Sequence, residues 1–255
     1  MTDKTRIEKD SLGELKVPAE ALYGIQTARA RENFPISPFK PFAEFIVASA
    51  LIKKAAAKVN AELGMLDRKK ADAIIQAADE VLAGKHRDQF VVDAYQAGAG
   101  TSHNMNTNEV LANRAIEILG GKRGDYSLVS PNDHVNMAQS TNDFFPTAMR
   151  VAGLLMSGGL PVALERLAEA FAAKGREFQD VVKSGRTHLQ DAVPVRLGRE
   201  FSAWGEIIRQ HRRRILAARE ELTVLGIGGT AAGTGLNAHP QYRVKMCEEL
   251  SRLTG

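Results

Sequence analysis

Three stretches of this sequence carry more small, neutral hydrogen-bonding side chains than a plain helical protein needs. The first runs Ala97-Gly98-Ala99-Gly100-Thr101-Ser102-His103-Asn104-Met105-Asn106-Thr107-Asn108-Glu109. A glycine-rich loop entering a helix offers free backbone N–H groups and small hydroxyls, which is how proteins hold anions. It lacks the Gly-Lys-Ser/Thr ending of a phosphate loop, and its glycine spacing is wrong for a dinucleotide fingerprint. Standing alone, it would read as a capped helix start with an Asn-rich turn. The second runs from Ser130-Pro131-Asn132-Asp133-His134 to Ser140-Thr141-Asn142-Asp143. Ser140, Thr141 and Asn142 are three consecutive neutral donors at another helix start, suited to a carboxylate because they stabilise it without adding formal charge. Helix capping uses one such residue and seldom three. The third, Gly185-Arg186-Thr187-His188-Leu189-Gln190-Asp191-Ala192-Val193-Pro194, puts Thr187 and His188 in a turn between two long helices. A His titrating near neutrality can donate to a substrate or relay a proton, although a lone loop His is more often merely exposed. Three such clusters together favour a binding site for a small anionic molecule.

The elements that must position them are mostly helical. Phe45, Ala48, Ile52, Ala55, Val59 and Leu63 share one face of a helix over residues 44–63, ended by Gly64. A second helix spans 67–82 and stops at Gly84; a third starts near Asn104 and ends at Gly120-Gly121. Asn142 or Asp143 suits the N-cap of a fourth, with Pro146 in its first turn, continuing through a kink at Gly158-Gly159 and Pro161 to Phe178. Further on, Leu197, Phe201, Trp204, Ile208, His211, Ile215, Ala218 and Leu222 step alternately by four and three, a coiled-coil-like seam with His211 as a core or interface residue. Residues 240–253 form a short amphipathic helix, and Arg6–Lys9 and Glu14–Val17 are small strands. The fold class is therefore mainly α. Composition changes near Asn142, which gives two domains, 1–141 and 142–255, the second a partial helix bundle. The seam lacks enough partner helices, so the expectation is close oligomerisation or a chain lacking its carboxyl-terminal part.

Composition narrows the function classes. The chain has 255 residues, 44% hydrophobic and 25% charged, which is ordinary for a globular protein of one or two domains. No apolar run reaches the roughly 18 residues of a membrane span, and Met1–Gly13 has no apolar signal region, so neither a membrane partner nor secretion is expected. The lone Cys247 excludes an intrachain disulfide and fits a reducing cytoplasm. The net charge of +4 centres on Arg212-Arg213-Arg214 within a helix. Aromatics make up only 6% of the chain, so a solvated or subunit-facing surface is the better reading than nucleic acid.

These residues resemble the fumarase/aspartase superfamily, in its class II fumarase and aspartate ammonia-lyase branch. The resemblance extends to Arg6-Ile7-Glu8-Lys9-Asp10, Tyr23-Gly24-Ile25-Gln26-Thr27, Arg31-Glu32-Asn33-Phe34 and Gly228-Gly229-Thr230-Ala231-Ala232-Gly233-Thr234-Gly235-Leu236-Asn237, and so covers essentially the whole chain. Gly100-Thr101-Ser102, where fumarases usually have Gln after the Thr, and Leu189, where they usually have Thr, lean toward the ammonia-lyase side.

The resemblance implies a small helical N-terminal domain followed by part of a long central bundle, assembled as a homotetramer with active sites shared between subunits. It implies elimination of ammonia from L-aspartate to give fumarate through an aci-carboxylate intermediate, with no metal or organic cofactor. In that scheme Thr101, Ser140 and Thr141 take the β-carboxylate, Asn142 and His188 hold the amino group, and Thr187 helps with the α-carboxylate. One well-placed donor on such an oxyanion is worth about 3–4 kcal/mol. The family's general base is a serine on a Gly-Ser-Ser loop, followed by a Lys and an Asn, all expected beyond Gly255. The 255-residue polypeptide by itself is therefore expected to show no turnover in an ultraviolet assay for fumarate. Two other readings stay open: a class II fumarase, and an inactive helical module that binds dicarboxylates without chemistry.

Overall fold

Arg6 ties the first strand to the residues that lead into the first helix. Strands β1 (Thr5–Asp10) and β2 (Gly13–Pro18) pair antiparallel from Thr5↔Pro18 to Asp10↔Gly13, one residue longer at each end than the sequence indicated. The Arg6 guanidinium donates to the carbonyls of Pro18, Ala21 and Tyr23 and pairs with Glu8, curling the chain toward helix α1 (Ile25–Asn33). The structure is a computed structural model describing residues 4–255.

Helix α1 has no cap of its own, and its short, weakly patterned sequence hid it. Its first N–H groups go instead to two distant carboxylates. Glu109 accepts from the backbone of Gly24, Gln26 and Thr27 and from the Thr27 hydroxyl at 2.6–3.0 Å, while Glu8 accepts from Ile25 N at 2.9 Å. Burial pushes the Glu109 carboxyl above its ordinary value, and these four bonds oppose that rise. Gly24 lies so close that a Cβ would overlap the Tyr126 hydroxyl and both carboxylates. Gly24→Ala is therefore expected to destabilise the chain by about 3 kcal/mol, read as a lower urea midpoint with unchanged m.

Helices α2 (Ala43–Glu62), α3 (Arg68–Leu82) and α4 (Thr101–Ile118) build the main core. The buried alanines of α2, among them Ala50 and Ala57, let its neighbours approach closely, and Asp67 caps α3 by accepting from Lys70 N at 3.1 Å. Helix α4 begins at Thr101, three residues before the expected start, and is buried continuously from Ser102 to Asn113. Its asparagines therefore do not form a turn; they serve as buried linkers. Asn106 joins Val91 N to Gln89 O, and Asn113 joins Gly124 N to Leu22 O. Helices α5 (Thr141–Met156) and α8 (Tyr242–Thr254) close a second cluster with α2, around Ile52, Val59, Phe144, Tyr242 and Met246.

The chain divides elsewhere than at Asn142. One unit comprises residues up to Ala152 together with Leu225–Gly255, and the other Gly153–Val224. The reason is packing: Phe144, Ala148, Val151 and Ala152 of α5 are buried in the first unit's core. The run Thr141–Glu177 also contains an 18-residue window of mean hydropathy 1.3, which corrects the expectation that no stretch is apolar enough to span a membrane. By length and composition alone it qualifies, but the helix breaks at residues 157–159.

In the second unit, α6 (Leu160–Glu177) and α7 (Leu197–Glu221) run antiparallel, so close that a Cβ on Gly198 would overlap Gly175 O. Phe171, Phe178, Phe201 and Trp204 pack with ring centroids 5.0–6.1 Å apart. The expected seam is only half used there. Phe201, Ile208, Ile215 and Leu222 are half-buried, whereas Trp204, His211 and Ala218 are exposed, so His211 is not a core residue of this chain. Between the helices lies a hairpin, β3 (Val182–Thr187) and β4 (Gln190–Arg196), turning on His188 and Leu189 at φ 48° and 60°. No Asn-Gly or Gly-Gly pair signals that turn in the sequence.

Candidate active site

The start of α5 is a reciprocal cap. Ser140, not Asn142 or Asp143, is its N-cap: the Ser140 hydroxyl accepts from Asn142 N at 3.2 Å and the Asp143 carboxylate accepts from Ser140 N at 2.9 Å. This leaves the Ser140 O–H proton and the Thr141 and Asn142 side chains at the positive end of the helix. Pro146 falls inside α5 as a result, one turn deeper than expected.

Two buried links hold the first and second stretches together. Asn104, one turn into α4, donates from Nδ2 to Thr141 Oγ1 at 3.1 Å and to Asn136 Oδ1 at 3.2 Å. Gly100, at φ +86°, lies flat against the Phe145 ring on α5, where any Cβ would overlap the ring. Thr101 is thus placed at the start of α4 beside the start of α5, and it is exposed. Beneath them the Lys53 ammonium donates to Asn104 Oδ1, Asn136 Oδ1 and Gln139 Oε1 at 2.8–2.9 Å and sits 4.0 Å from the Phe144 ring centroid. Its pKa lies well below the usual lysine value because burial opposes the charge.

The Gly228–Asn237 stretch joins the same place. Asp143 accepts from Gly228 N at 3.0 Å and Thr230 N at 2.9 Å, and Asn142 Nδ2 donates to Ala231 O at 2.9 Å. A carbonyl only accepts, so this bond fixes the amide and turns Asn142 Oδ1, an acceptor, the other way. A cleft of about 200 Å³ is lined by Gln139, Ser140, Thr230, Ala231, Thr234 and Asn237. The first unit therefore unites Thr101, Ser140, Thr141 and Asn142. Thr187 and His188 lie in the second unit, exposed at the hairpin turn.

Sequence reasoning missed Lys53, Asn104, Asp143 and the bonds of the Gly228–Thr230 segment. For Lys53 a signal existed: a lysine between Ile52 and the buried alanines of α2 is out of place unless something receives it.

His103 lies under the same loop, its ring 5.4 Å from Phe45 and stacked 6.1 Å from Phe145. Burial lowers its pKa from 6.5 to about 4, and the Asp93 charge only partly offsets this. The folded protein thus holds His103 neutral where the unfolded chain would protonate it. Stability is expected to fall as pH drops from about 6.5 to about 4, by up to about 3 kcal/mol. Urea midpoints across that range should show this slope, and His103→Leu should flatten it. Loss from Glu80 and Glu249, whose carboxyls are held down to about 2 by hydrogen bonds from Arg114 and Arg252, lies lower, between about 4.5 and 2.

Among the described residues no group of three or more His, Cys, Asp or Glu is placed to hold a metal ion. Residues 13–255 match a family described simply as lyase. An aspartate ammonia-lyase of a Bacillus species is 49% identical over 255 residues, covering 100% of this chain and 54% of the relative. A class II fumarate hydratase of Halobacterium salinarum is 52% identical over 256 residues, covering 100% of this chain and 54% of its own length. The crystal structure of a fumarate lyase:delta crystallin from Brucella melitensis bound to cobalt superposes with a TM-score of 0.95 at 49% identity, covering 99% of this chain and 55% of that one. A class II fumarase from Schistosoma mansoni gives a TM-score of 0.93 at 39% identity, over 98% and 53% of the two chains. The chain thus spans about half the length of the curated relatives it matches.

Proposed function

We propose, from the premise that this chain belongs to the lyase family, that the protein expressed from its complete reading frame eliminates ammonia reversibly from L-aspartate to give fumarate. Removing the proton beside the β-carboxylate leaves an aci-carboxylate with two negative charges on its oxygens, so the site must hold donors aimed at that group. Thr101, Ser140 and Thr141 fill this role, Asn142 and His188 hold the amino group, and Thr187 assists with the α-carboxylate. In the resembling family the proton acceptor is a serine of a Gly-Ser-Ser loop, a motif that these 255 residues do not contain.

The observation that carries the reading is the polarity of two neighbouring side chains. Thr141 Oγ1 accepts from Asn104 and so has its proton to give, while Asn142 is turned by Ala231 O to present an acceptor. A donor next to an acceptor matches a carboxylate next to an ammonium. The assembly we propose is a homotetramer in the reducing cytoplasm, its sites shared between subunits; the exposed Trp204, Ile207 and Leu216 of α7 support this by leaving an apolar face for partner helices.

The second reading is a class II fumarase, favoured by relatives of that description at 52% identity beside ammonia-lyases at 49% and 51%. The two separate in one assay. Fumarate formation is followed by ultraviolet absorbance with L-aspartate or L-malate as substrate. Turnover of aspartate is expected, and turnover of malate alone would replace this reading by the second.

A further inference from the structure

Lys53 is fully buried, yet its hydrogen-bond partners are three neutral amide oxygens. Two of those amides cannot turn round. Asn136 Nδ2 donates to Gln139 O at 3.3 Å, and Gln139 Nε2 donates to the carbonyls of Val135 and Met137 at 3.2 Å, so their oxygens must face the lysine. Asn104 Nδ2 donates in turn to the fixed Asn136 Oδ1 at 3.2 Å, so its oxygen also faces the lysine, and three acceptors need three N–H donors, which an ammonium has and a neutral amine lacks. The Phe144 ring beneath it also suits a cation. Burial lowers the Lys53 pKa, but the three fixed acceptors and the ring oppose that loss, so on geometry Lys53 keeps its positive charge inside the protein; the carboxylate acting on it, Asp143, is already committed to Ser140, Gly228 and Thr230.

The consequence runs outward through Asn104. With Oδ1 taken by Lys53, its Nδ2 faces Thr141 Oγ1. The Thr141 hydroxyl is thereby occupied as an acceptor, and its one proton is directed elsewhere. The geometry points to Lys53 as a positioning residue for the reaction: through Asn104 it makes Thr141 a hydrogen donor to the ligand's carboxylate, and it holds a positive charge two hydrogen bonds behind the Thr141 hydroxyl, three behind that carboxylate. This rests on the elimination reading above and deepens it. A charge so placed acts most strongly on the state with the most negative charge on the carboxylate oxygens, the aci-carboxylate.

The test uses the protein expressed from its complete reading frame and two probes. Succinate carries ordinary carboxylates; the nitronate of 3-nitropropionate carries the charge distribution of the aci-carboxylate. Both are measured by calorimetry and as inhibitors, in wild type, Lys53→Met and Asn104→Asp. The second variant is nearly isosteric, removes the donor to Thr141 and sets a carboxylate beside Lys53, so it decides the matter if Lys53→Met does not fold. The expected result is that nitronate binding weakens at least about tenfold more than succinate binding in each folded variant. Equal weakening of both probes would assign these residues a purely structural role and overturn the inference, as would unchanged binding of both. If the variants keep the wild-type preference for nitronate, the inference fails while the elimination reading stands. A wild-type protein that binds neither probe would sink the elimination reading itself.

Discussion

In the protein expressed from the complete reading frame, replacing Thr141 by Val is expected to lower kcat for the proposed aspartate elimination by about 10²–10³-fold while raising KM far less. The substitution keeps the side-chain shape and the start of α5, and removes one O–H. That proton matters little to a ground-state carboxylate, which other donors and water also solvate. It matters most when the neighbouring carbon loses its proton and a second charge arrives on the same oxygens. The stability cost should be small, because Asn104 Nδ2 keeps Asn136 Oδ1 as an acceptor. Thr141→Ser restores the hydroxyl and should recover most of the rate. The check is steady-state kinetics on fumarate absorbance, with urea midpoints alongside. An equal fall in kcat and stability in both variants would contradict the assigned role.

Asp143→Ala is expected to do the most damage to the architecture of the site. The carboxylate is buried and serves three backbone N–H groups, those of Ser140, Gly228 and Thr230. Removing it strands three donors, each costing about 1–3 kcal/mol where water cannot enter. We expect a loss of about 3 kcal/mol or more in the urea midpoint, with the Gly228 and Thr230 amides exchanging with solvent well before the core. Activity should fall as well, because releasing this segment frees Ala231 O from Asn142 and lets the amide turn. If the two amides stay protected in the variant, the clasp described here is not what holds them.

Much of this was legible in the residues themselves. The helices over 43–62 and 68–82 follow from apolar periodicity and from Gly64 and Gly84 at their ends, both at positive φ. Ser140, Thr141 and Asn142 stood out by side-chain chemistry, since three neutral donors exceed what one cap requires, whereas their grouping with Thr101 was implied by the family resemblance. What stayed hidden depends on partners far away in sequence. Helix α1 exists because Glu109 caps it across more than eighty residues, which no local pattern encodes. The α4 asparagines mimic a turn signal because Asn prefers turns in exposed chain, whereas here backbone groups of neighbouring segments meet them inside a helix. Periodicity put His211 in a seam, but a period shows that a face is apolar without showing what covers it; in this chain α6 covers only part of α7. Lys53 was passed over for the opposite reason, since a charged residue in a helix is ordinarily taken as solvated.

A crystal structure of the protein from its complete reading frame with L-aspartate bound would test the central claim most directly. The account predicts β-carboxylate oxygens about 2.7–3.0 Å from the hydroxyls of Thr101, Ser140 and Thr141, with the ammonium on Asn142 Oδ1. Aspartate bound away from the starts of α4 and α5, or with its carboxylate on Asn142 and its ammonium toward Thr141, would contradict it.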